Sequence, residues 1–282
     1  MTIRDYNKLI EEGVSLKQIA QAYGEIASLK IRKIRSEVER NRTFFNEIST
    51  VYKIVKQQAA AKKIAITKPK KTLSVILTSN YRFYGNIDSE VIRHFMINTA
   101  KIITDRLVIG KTGQEYLKAV RYFNAFQAVE LSKDLPTAQD LNTLSTAIKN
   151  YNQVLVFYPQ LITLLTQKPV IADITELPEK NIPQGQDKKT ADPYIIFEPE
   201  LEKIVQFFDN QIILLLLEQT FFEAELARTA SRLLAMDQAQ VEANNFIKDQ
   251  KTSRAHLVRT IENVKLLENI SALRVLRKER TI

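Results

Sequence analysis

Apolar residues recur at three- and four-residue steps from Ile19 to Val55, the spacing that places side chains on one face of an α-helix. The predicted buried stripe comprises Ile19, Ala22, Tyr23, Ile26, Ala27, Ile31, Ile34, Val38, Phe44, Phe45, Ile48, Val51, Tyr52 and Val55. Gly13 is expected to separate a short leading helix from this main helix, with Ser15 as the N-cap candidate. The pattern therefore predicts a long first helical arm.

Short apolar runs alternate with helical patterns in the middle of the chain. Strands are predicted over 72–78, 106–110 and 154–158, with 170–174 as a further candidate, and helices over 89–102, 114–121 and 140–150. Such alternation predicts a mostly parallel sheet covered by helices. A turn is predicted at 68–71 and a loop at 176–193, where Pro and charged residues are frequent.

A second helical arm is predicted after Pro199, because the 83 residues from Glu200 to Ile282 contain neither Pro nor Gly. Pro costs a helix interior roughly 3 kcal/mol and Gly roughly 1. Unbroken, this arm would reach ~120 Å. A narrow coiled-coil seam is predicted through Leu226, Ala230, Leu233, Leu257, Ile261, Val264 and Leu267. The stretch 237–253 is poor in large apolar residues and is expected to face water or a polar partner instead of the first arm.

The composition is that of a folded protein. Of its 282 residues, 45% are hydrophobic and 26% are charged, which excludes a disordered chain. The longest apolar run, 212–217, is far shorter than the roughly 18 residues of a membrane span. The first residues lack an apolar signal region, so a cytoplasmic location is expected. Without Cys, the chain can form neither disulfides nor thiolate metal sites, and His94 and His256 are too isolated to predict a zinc site.

Positive charge is concentrated on two parts of the chain. The net charge is +9, with 13 Lys/Arg against 7 Asp/Glu in residues 1–63 and 8 against 3 in residues 251–282. Residues 201–250 carry 4 against 8. The densest basic run is Lys30, Arg32, Lys33, Arg35, Arg40 and Arg42. It is either a solvated helix face or a contact for an acidic protein surface or phosphates, and the lack of interleaved aromatic residues argues against nucleic acid.

No stretch carries the pattern of a catalytic or cofactor site. Gly110-Lys111-Thr112 resembles part of a phosphate-binding loop, but Asp105 stands where that motif requires its first Gly. The segment 79–85 follows a predicted strand with a single Gly, so it is not a dinucleotide fingerprint. We predict no catalytic residue, cofactor or metal in this chain.

Several stretches resemble one family in order and spacing. Residues 19–33 are similar to "IT-x-AM-x-MVA-x-x-K-x-R-K", and 230–239 (ASRLLAMDQA) are similar to "AAR-x-x-AM-x-x-A". Residues 76–87 stand where the family has "SDRGLCGGLN", and 108–113 and 194–199 are similar to "IG-x-KG" and "Y-x-YEP". The family is the gamma subunit of F-type ATP synthases.

The chain also departs from that family pattern. Gly85 is the only glycine kept in the loop after the first strand, and Asn80 replaces the acidic residue there. Tyr23 stands where the family usually has Met, and the ending 274–280 is more basic than usual. These differences leave open whether the chain works on a proton channel.

The resemblance implies an α/β fold class in which the N- and C-terminal helices form a long antiparallel coiled coil beside a central Rossmann-like domain with a mostly parallel sheet. The implied domains are 1–67 (N-terminal coiled-coil helix), 68–198 (α/β foot) and 199–282 (C-terminal coiled-coil helix). The implied role is a non-catalytic rotor shaft at the inner face of the cell membrane. Its implied partners are three alpha and three beta subunits, epsilon and, in a synthase, the membrane c-ring, with no nucleic acid.

Rotor–stator contacts are predicted from the matched positions at Tyr23, Lys30, Arg32, Lys33, Arg232 and Arg254. Two other functions remain open. One is the shaft of an F-type-like ATPase that drives a different machine, and the other is a basic coiled-coil scaffold or nucleic-acid binder, for which a steep salt dependence of binding is expected.

Overall fold

The computed structural model describes residues 1–61, 71–175 and 200–279. Along the chain its elements are α1 (Ile3–Ala61), β1 (Thr72–Leu77), α2 (Ile87–Thr99), β2 (Asp105–Ile109), α3 (Lys111–Ala119), β3 (Gln127–Val129), α4 (Ala138–Ile148), β4 (Gln153–Thr163), β5 (Thr166–Asp173) and α5 (Leu201–Glu279). The turn predicted at 68–71 falls outside the described residues except for its last position, and the predicted loop at 176–193 and the motif at 194–199 lie wholly outside them.

The five strands form one sheet in the order β3-β2-β1-β4-β5. The first four strands run parallel, and β5 returns antiparallel to β4 as a hairpin. The predicted mostly parallel sheet is therefore confirmed, and so is the candidate strand near 170–174. The sequence prediction missed β3, whose three residues are too few to show an alternating pattern.

The sheet has an apolar core on each face, because successive strand side chains point to opposite sides. On one face Ile76, Val108 and Phe157 pack with buried residues of α2 and α3. On the other face Val75, Leu107 and Val156 pack with residues of α4, α1 and α5. The apolar run 212–217 belongs to this second core, as a buried helix face.

Gly13 does not interrupt the first helix, contrary to the prediction from sequence. A Cβ atom at Gly13 would lie 2.9 Å from Cγ1 of Ile247 and 3.1 Å from Cδ1 of Phe246 on α5. The glycine therefore permits close approach of two antiparallel helices, and the helical hydrogen bonds continue through it. The expectation that 237–253 faces water holds for most of this stretch, but Ile247 is buried and lies against Gly13 of the first arm.

The buried side of α1 agrees with the predicted stripe in part. Ile19, Tyr23 and Ile26 are 53%, 37% and 56% exposed. Other members of the stripe are buried as predicted, and towards the start of the helix the buried positions are instead Gly13 and Ala20; the buried stripe members are Ala27, Ile34, Phe45, Tyr52 and Val55. Small side chains allow two helix axes to lie closer, so the larger apolar residues are displaced to the outer face.

The predicted seam on α5 also ends early. Leu257 and Ile261 are half-buried, whereas Val264 and Leu267 are 48% and 64% exposed. The reason is geometric: α1 begins at Ile3, and its Gly13 already lies against Ile247. The antiparallel partner therefore ends about ten residues further along α5.

The chain divides into two compact units, residues 1–26 with 233–282 and residues 27–232. The first contains the paired ends of the long helices, and the second contains the α/β domain with the helix segments that pack on it. The domain limits predicted at 67/68 and 198/199 lie outside the described residues and stay predictions. Among the described helices, none has an apolar stretch long enough to cross a bilayer.

Candidate functional site

The loop after β1 lies against α5. Gly85 has a φ of +64°, and a Cβ atom there would lie 3.0 Å from the Ser231 hydroxyl oxygen. The same hydroxyl donates a hydrogen bond of 2.8 Å to the carbonyl of Tyr84. The one glycine kept in this loop therefore serves both the left-handed backbone and the contact with α5.

Tyr84 connects this loop to a buried polar cluster. Its hydroxyl donates to Oδ2 of Asp134 at 2.6 Å and lies 3.5 Å from Oε1 of Glu225. The other oxygen of Asp134 accepts the backbone N–H of Asn80 at 2.7 Å. Burial and the two neighbouring carboxylates raise the pKa of Tyr84, so the phenol remains a neutral donor.

Glu225 is the centre of the cluster and has no solvent exposure. The Lys30 ammonium of α1 donates to its Oε1. Arg228, one turn further along α5, donates to its Oε2 from Nη2 at 3.1 Å and from Nε at 3.3 Å. The carboxylate is thus held by cations from both long helices.

Two further buried ionisable residues, Arg228 and Asp88, influence each other electrostatically in this cluster. Burial lowers the pKa of Arg228, but the carboxylates of Glu225, Asp88 and Asp134 outweigh it and raise that pKa overall. Asp88 accepts a hydrogen bond from the Ser79 hydroxyl, while its Oδ1 and Nη1 of Arg228 have no hydrogen-bond partner among the described residues. Burial raises the pKa of Asp88.

Arg232, a predicted rotor–stator contact, lies inside this cluster. Its guanidinium carbon is 3.8 Å from the centroid of the Tyr84 ring, a cation–π geometry. Its Nη2 donates to the carbonyl oxygen of Arg82 at 2.8 Å, and the residue is 8% exposed. The structure therefore brings Lys30 and Arg232 together through Glu225 and Tyr84.

The other predicted contact residues do not join this cluster. Arg32 and Lys33 are exposed on α1, in the same unit as the cluster. Tyr23 and Arg254 lie in the other unit, where Tyr23 is 37% exposed and Arg254 is exposed. Gly24 lies against Gln240, so Arg254 is 14 residues, about 21 Å, further along α5.

The backbone amides around Gly110 are used by the chain itself. Thr112 donates its N–H to the carbonyl of Ser79 at 3.0 Å, and Gly113 donates to the Thr78 hydroxyl at 3.0 Å. Lys111 donates its N–H to Oδ1 of Asn80 at 3.0 Å. A phosphate site at this helix start would require these three groups, and all three are satisfied internally.

Comparison with known proteins decides the family. The model of the ATP-synt family, described as ATP synthase, matches residues 2–256. The chain belongs to this family. The predicted resemblance to gamma subunits is confirmed, because the curated relatives in the family are ATP synthase gamma chains.

The similarity to individual relatives is distant but spans most of the chain. The gamma chain of Clostridium botulinum is 24% identical over 249 residues, with 84% of this chain and 85% of that protein covered. The gamma chain of Pelotomaculum thermopropionicum is 23% identical, with 95% and 96% covered. A cryo-EM structure of the Tetrahymena thermophila mitochondrial ATP synthase central stalk and c-ring has the same fold, with a TM-score of 0.60, 21% identity, and 78% and 99% covered.

Within this ATP synthase family member, sequence reasoning missed Tyr84, Asp134, Glu225 and Arg228. One signal was available: Glu225 and Arg228 are charges three residues apart in a segment of α5 whose neighbours Ala224, Ala227 and Ala230 are small and apolar. Charges in such a segment are buried only when they are paired. The loop that contains Tyr84 was considered in the sequence only as a possible dinucleotide site and as a departure from the family pattern, neither of which indicates a buried polar cluster.

Proposed function

We propose that the chain is the central rotor shaft of an F-type ATP synthase or ATPase. The observation that carries this proposal is the family match over residues 2–256, on a fold in which two long helices accompany a mostly parallel α/β domain. The paired helices suit a shaft that must resist twisting, since α1 has 59 residues and α5 has 79 without Pro.

The chain itself is non-catalytic in this proposal. ATP is made or hydrolysed on alpha and beta subunits, three of each, arranged around the shaft. An asymmetric shaft contacts each catalytic site differently and so favours a different conformation at each one, which is coupling by differential contact. Rotation then moves each site through the same series of states.

Further proposed partners lie at the α/β domain. They are epsilon and, in a synthase, the ring of membrane c subunits, which would place the chain peripherally on the inner face of the cell membrane. The c-ring in the Tetrahymena thermophila structure supports this arrangement for a central stalk of the same fold.

The direct contacts with the surrounding ring are proposed at exposed residues. Arg32 and Lys33 on α1 and Arg254 on α5 present charges to solvent, and Tyr23 on α1 is 37% exposed. Exposed charges provide graded contacts that a rotating surface can make and break, each worth about 0–1 kcal/mol. Lys30 and Arg232 were predicted on the same grounds, but their charges are already engaged inside the chain.

A pull-down of the tagged full-length chain from its own cells tests the function, with mass spectrometry and an ATPase assay of the bound fraction. Recovery of alpha and beta subunits with ATPase activity is expected. The presence of c subunits would identify a synthase, and their absence would identify a motor for another machine. Recovery of the chain alone, or with nucleic acid, would contradict the proposal.

A further inference from the structure

We propose that Lys30 and Glu225 form a joint that fixes both long helices to the α/β domain, with Lys30 as a positioning residue for torque transmission. This inference depends on the proposed rotor function for its meaning. It differs from the contact role predicted for Lys30 from sequence, because here Lys30 acts on a group of its own chain.

Glu225 connects four separate segments of the chain. It belongs to α5, it accepts from Lys30 of α1, and its Oε1 lies 3.5 Å from the hydroxyl of Tyr84 in the loop after β1. Tyr84 passes the connection to Asp134, in the segment before α4, through a hydrogen bond of 2.6 Å. All of these residues lie in one compact unit.

Directional bonds add to the apolar packing that already holds α1 and α5 against the sheet. The hydrophobic contribution to that packing is roughly proportional to area and has no preferred direction. Hydrogen bonds to charged groups are strong and require a defined angle and distance. In a shaft under torsional load, such bonds would fix the position of the helices at the point where they meet the α/β domain.

Lys30 is the member of the joint that can be substituted without creating a cavity in the buried interior. Its side chain is 33% exposed, whereas Glu225 is fully buried and Arg228 is 1% exposed. Loss of the Lys30 charge leaves a buried carboxylate with one cation fewer, which weakens the whole set of bonds around it. The variant should fold while the joint loosens.

The test compares Lys30→Met with Lys30→Arg, which keeps the charge, and with Arg35→Met, which removes an exposed charge five residues further along α1. In the free full-length chain, hydrogen exchange of amides 80–86 is the readout, because Asn80 N–H donates directly to Asp134. We expect Lys30→Met to speed this exchange about tenfold or more. Exchange in β4 and β5 should stay unchanged, and both other variants should behave as the parent chain.

A second measurement distinguishes a role of Lys30 in torque transmission from a general contribution to the stability of the fold. The chain has no Cys, so a single Lys118→Cys substitution on the exposed side of α3 can carry a rotational probe on the α/β domain. In complexes with immobilised alpha and beta subunits, Lys30→Met should lower the torsional stiffness between probe and ring. Lys30→Arg should restore it.

Three results would overturn the joint: unchanged exchange at 80–86 in Lys30→Met, equal effects of Lys30→Met and Lys30→Arg, or an unchanged stiffness. Should Lys30→Met fail to fold, Tyr84→Phe removes the hydroxyl that donates to Asp134 and lies 3.5 Å from Oε1 of Glu225, and it makes the same prediction for exchange at 80–86. Failure of the parent chain to bind alpha and beta subunits would refute the proposed function. The exchange experiment uses the free chain, so its result would still test the joint.

Discussion

At the scale of single residues, Asp88 couples the stability of the fold to pH. Burial raises the pKa of its carboxyl group above the ordinary 3.8, and an unfolded chain would restore the ordinary value. Between these two pKa values the folded chain binds more protons than the unfolded chain. The stabilising contribution of Asp88 is therefore full below the unfolded pKa and is lost as pH rises through the folded pKa.

The Asp88→Asn variant should remove this dependence, because an amide of the same shape does not titrate. We expect the free energy of unfolding of the variant, relative to the parent, to increase as pH is raised from about 4 to about 7. Urea denaturation of both chains at a series of pH values measures it. A difference that stays constant with pH would show that Asp88 does not titrate in this range.

Arg232 and Arg254 form a second comparison at this scale. Arg232→Ala removes a buried cation–π contact and a hydrogen bond to the backbone of Arg82, and should cost about 2–4 kcal/mol of stability in the free chain. Arg254→Ala, at an exposed position, should change stability by less than about 0.5 kcal/mol and should lower coupling in the assembled ATPase. Denaturation and coupling assays of both variants decide the roles. Equal losses of stability in the two variants would contradict the assignment of a structural role to Arg232 and a contact role to Arg254.

At the scale of elements, the two glycines of α1 have different environments. A Cβ atom at Gly24 would meet Nε2 of Gln240 at 3.6 Å, an ordinary contact, whereas at Gly13 it would meet Ile247 at 2.9 Å. Both positions are helical, so each Gly→Ala change gains about 0.5–1 kcal/mol of helix propensity. Only Gly13→Ala also overpacks the helix pair, at a cost of about 1–3 kcal/mol.

We therefore expect Gly24→Ala to stabilise the chain and Gly13→Ala to be neutral or destabilising. Thermal unfolding followed by circular dichroism compares the two variants with the parent. A stabilising Gly13→Ala would mean that α1 and α5 are not held as closely at this point as the structure shows.

The elements that were predicted correctly from the sequence have a clearer hydrophobic pattern than those that were missed or misplaced. Strands β1, β2 and β4 were found because buried parallel strands have continuous apolar runs. The buried side of α1 was predicted correctly at Ala27 and Ile34, but near the start of the helix Ala20 is buried while the larger Ile19 beside it is 53% exposed. Periodicity read from the larger apolar residues misplaced the buried side there.

The candidate site was predictable only in part. Lys30 and Arg232 were selected because they match a family pattern, but sequence spacing cannot show that a residue of α1 and a residue of α5 meet the same loop. Tyr84, Asp134 and Glu225 are separated by 50 and 91 residues, so only the folded chain shows that their side chains form one network.

At the scale of the whole molecule, the end of α5 has apolar residues without a partner in the described chain. Val264, Leu267 and Leu273 are 48%, 64% and 63% exposed. A helix segment of this kind is marginally stable in water by itself, because most helix stability in proteins comes from packing. We expect residues 262–273 to exchange backbone hydrogens rapidly in the free chain and slowly once alpha and beta subunits are bound. Equal exchange in both states would show that the ring does not cover this segment.

The rotor function itself is tested most directly by watching the chain turn. A probe on Lys118→Cys, in a complex whose alpha and beta subunits are fixed to a surface, reports the orientation of the α/β domain during ATP hydrolysis. We predict stepwise rotation in one direction that requires ATP and stops when it is exhausted. ATP hydrolysis by the ring while the probe shows only undirected motion would contradict the assignment of this chain as the shaft.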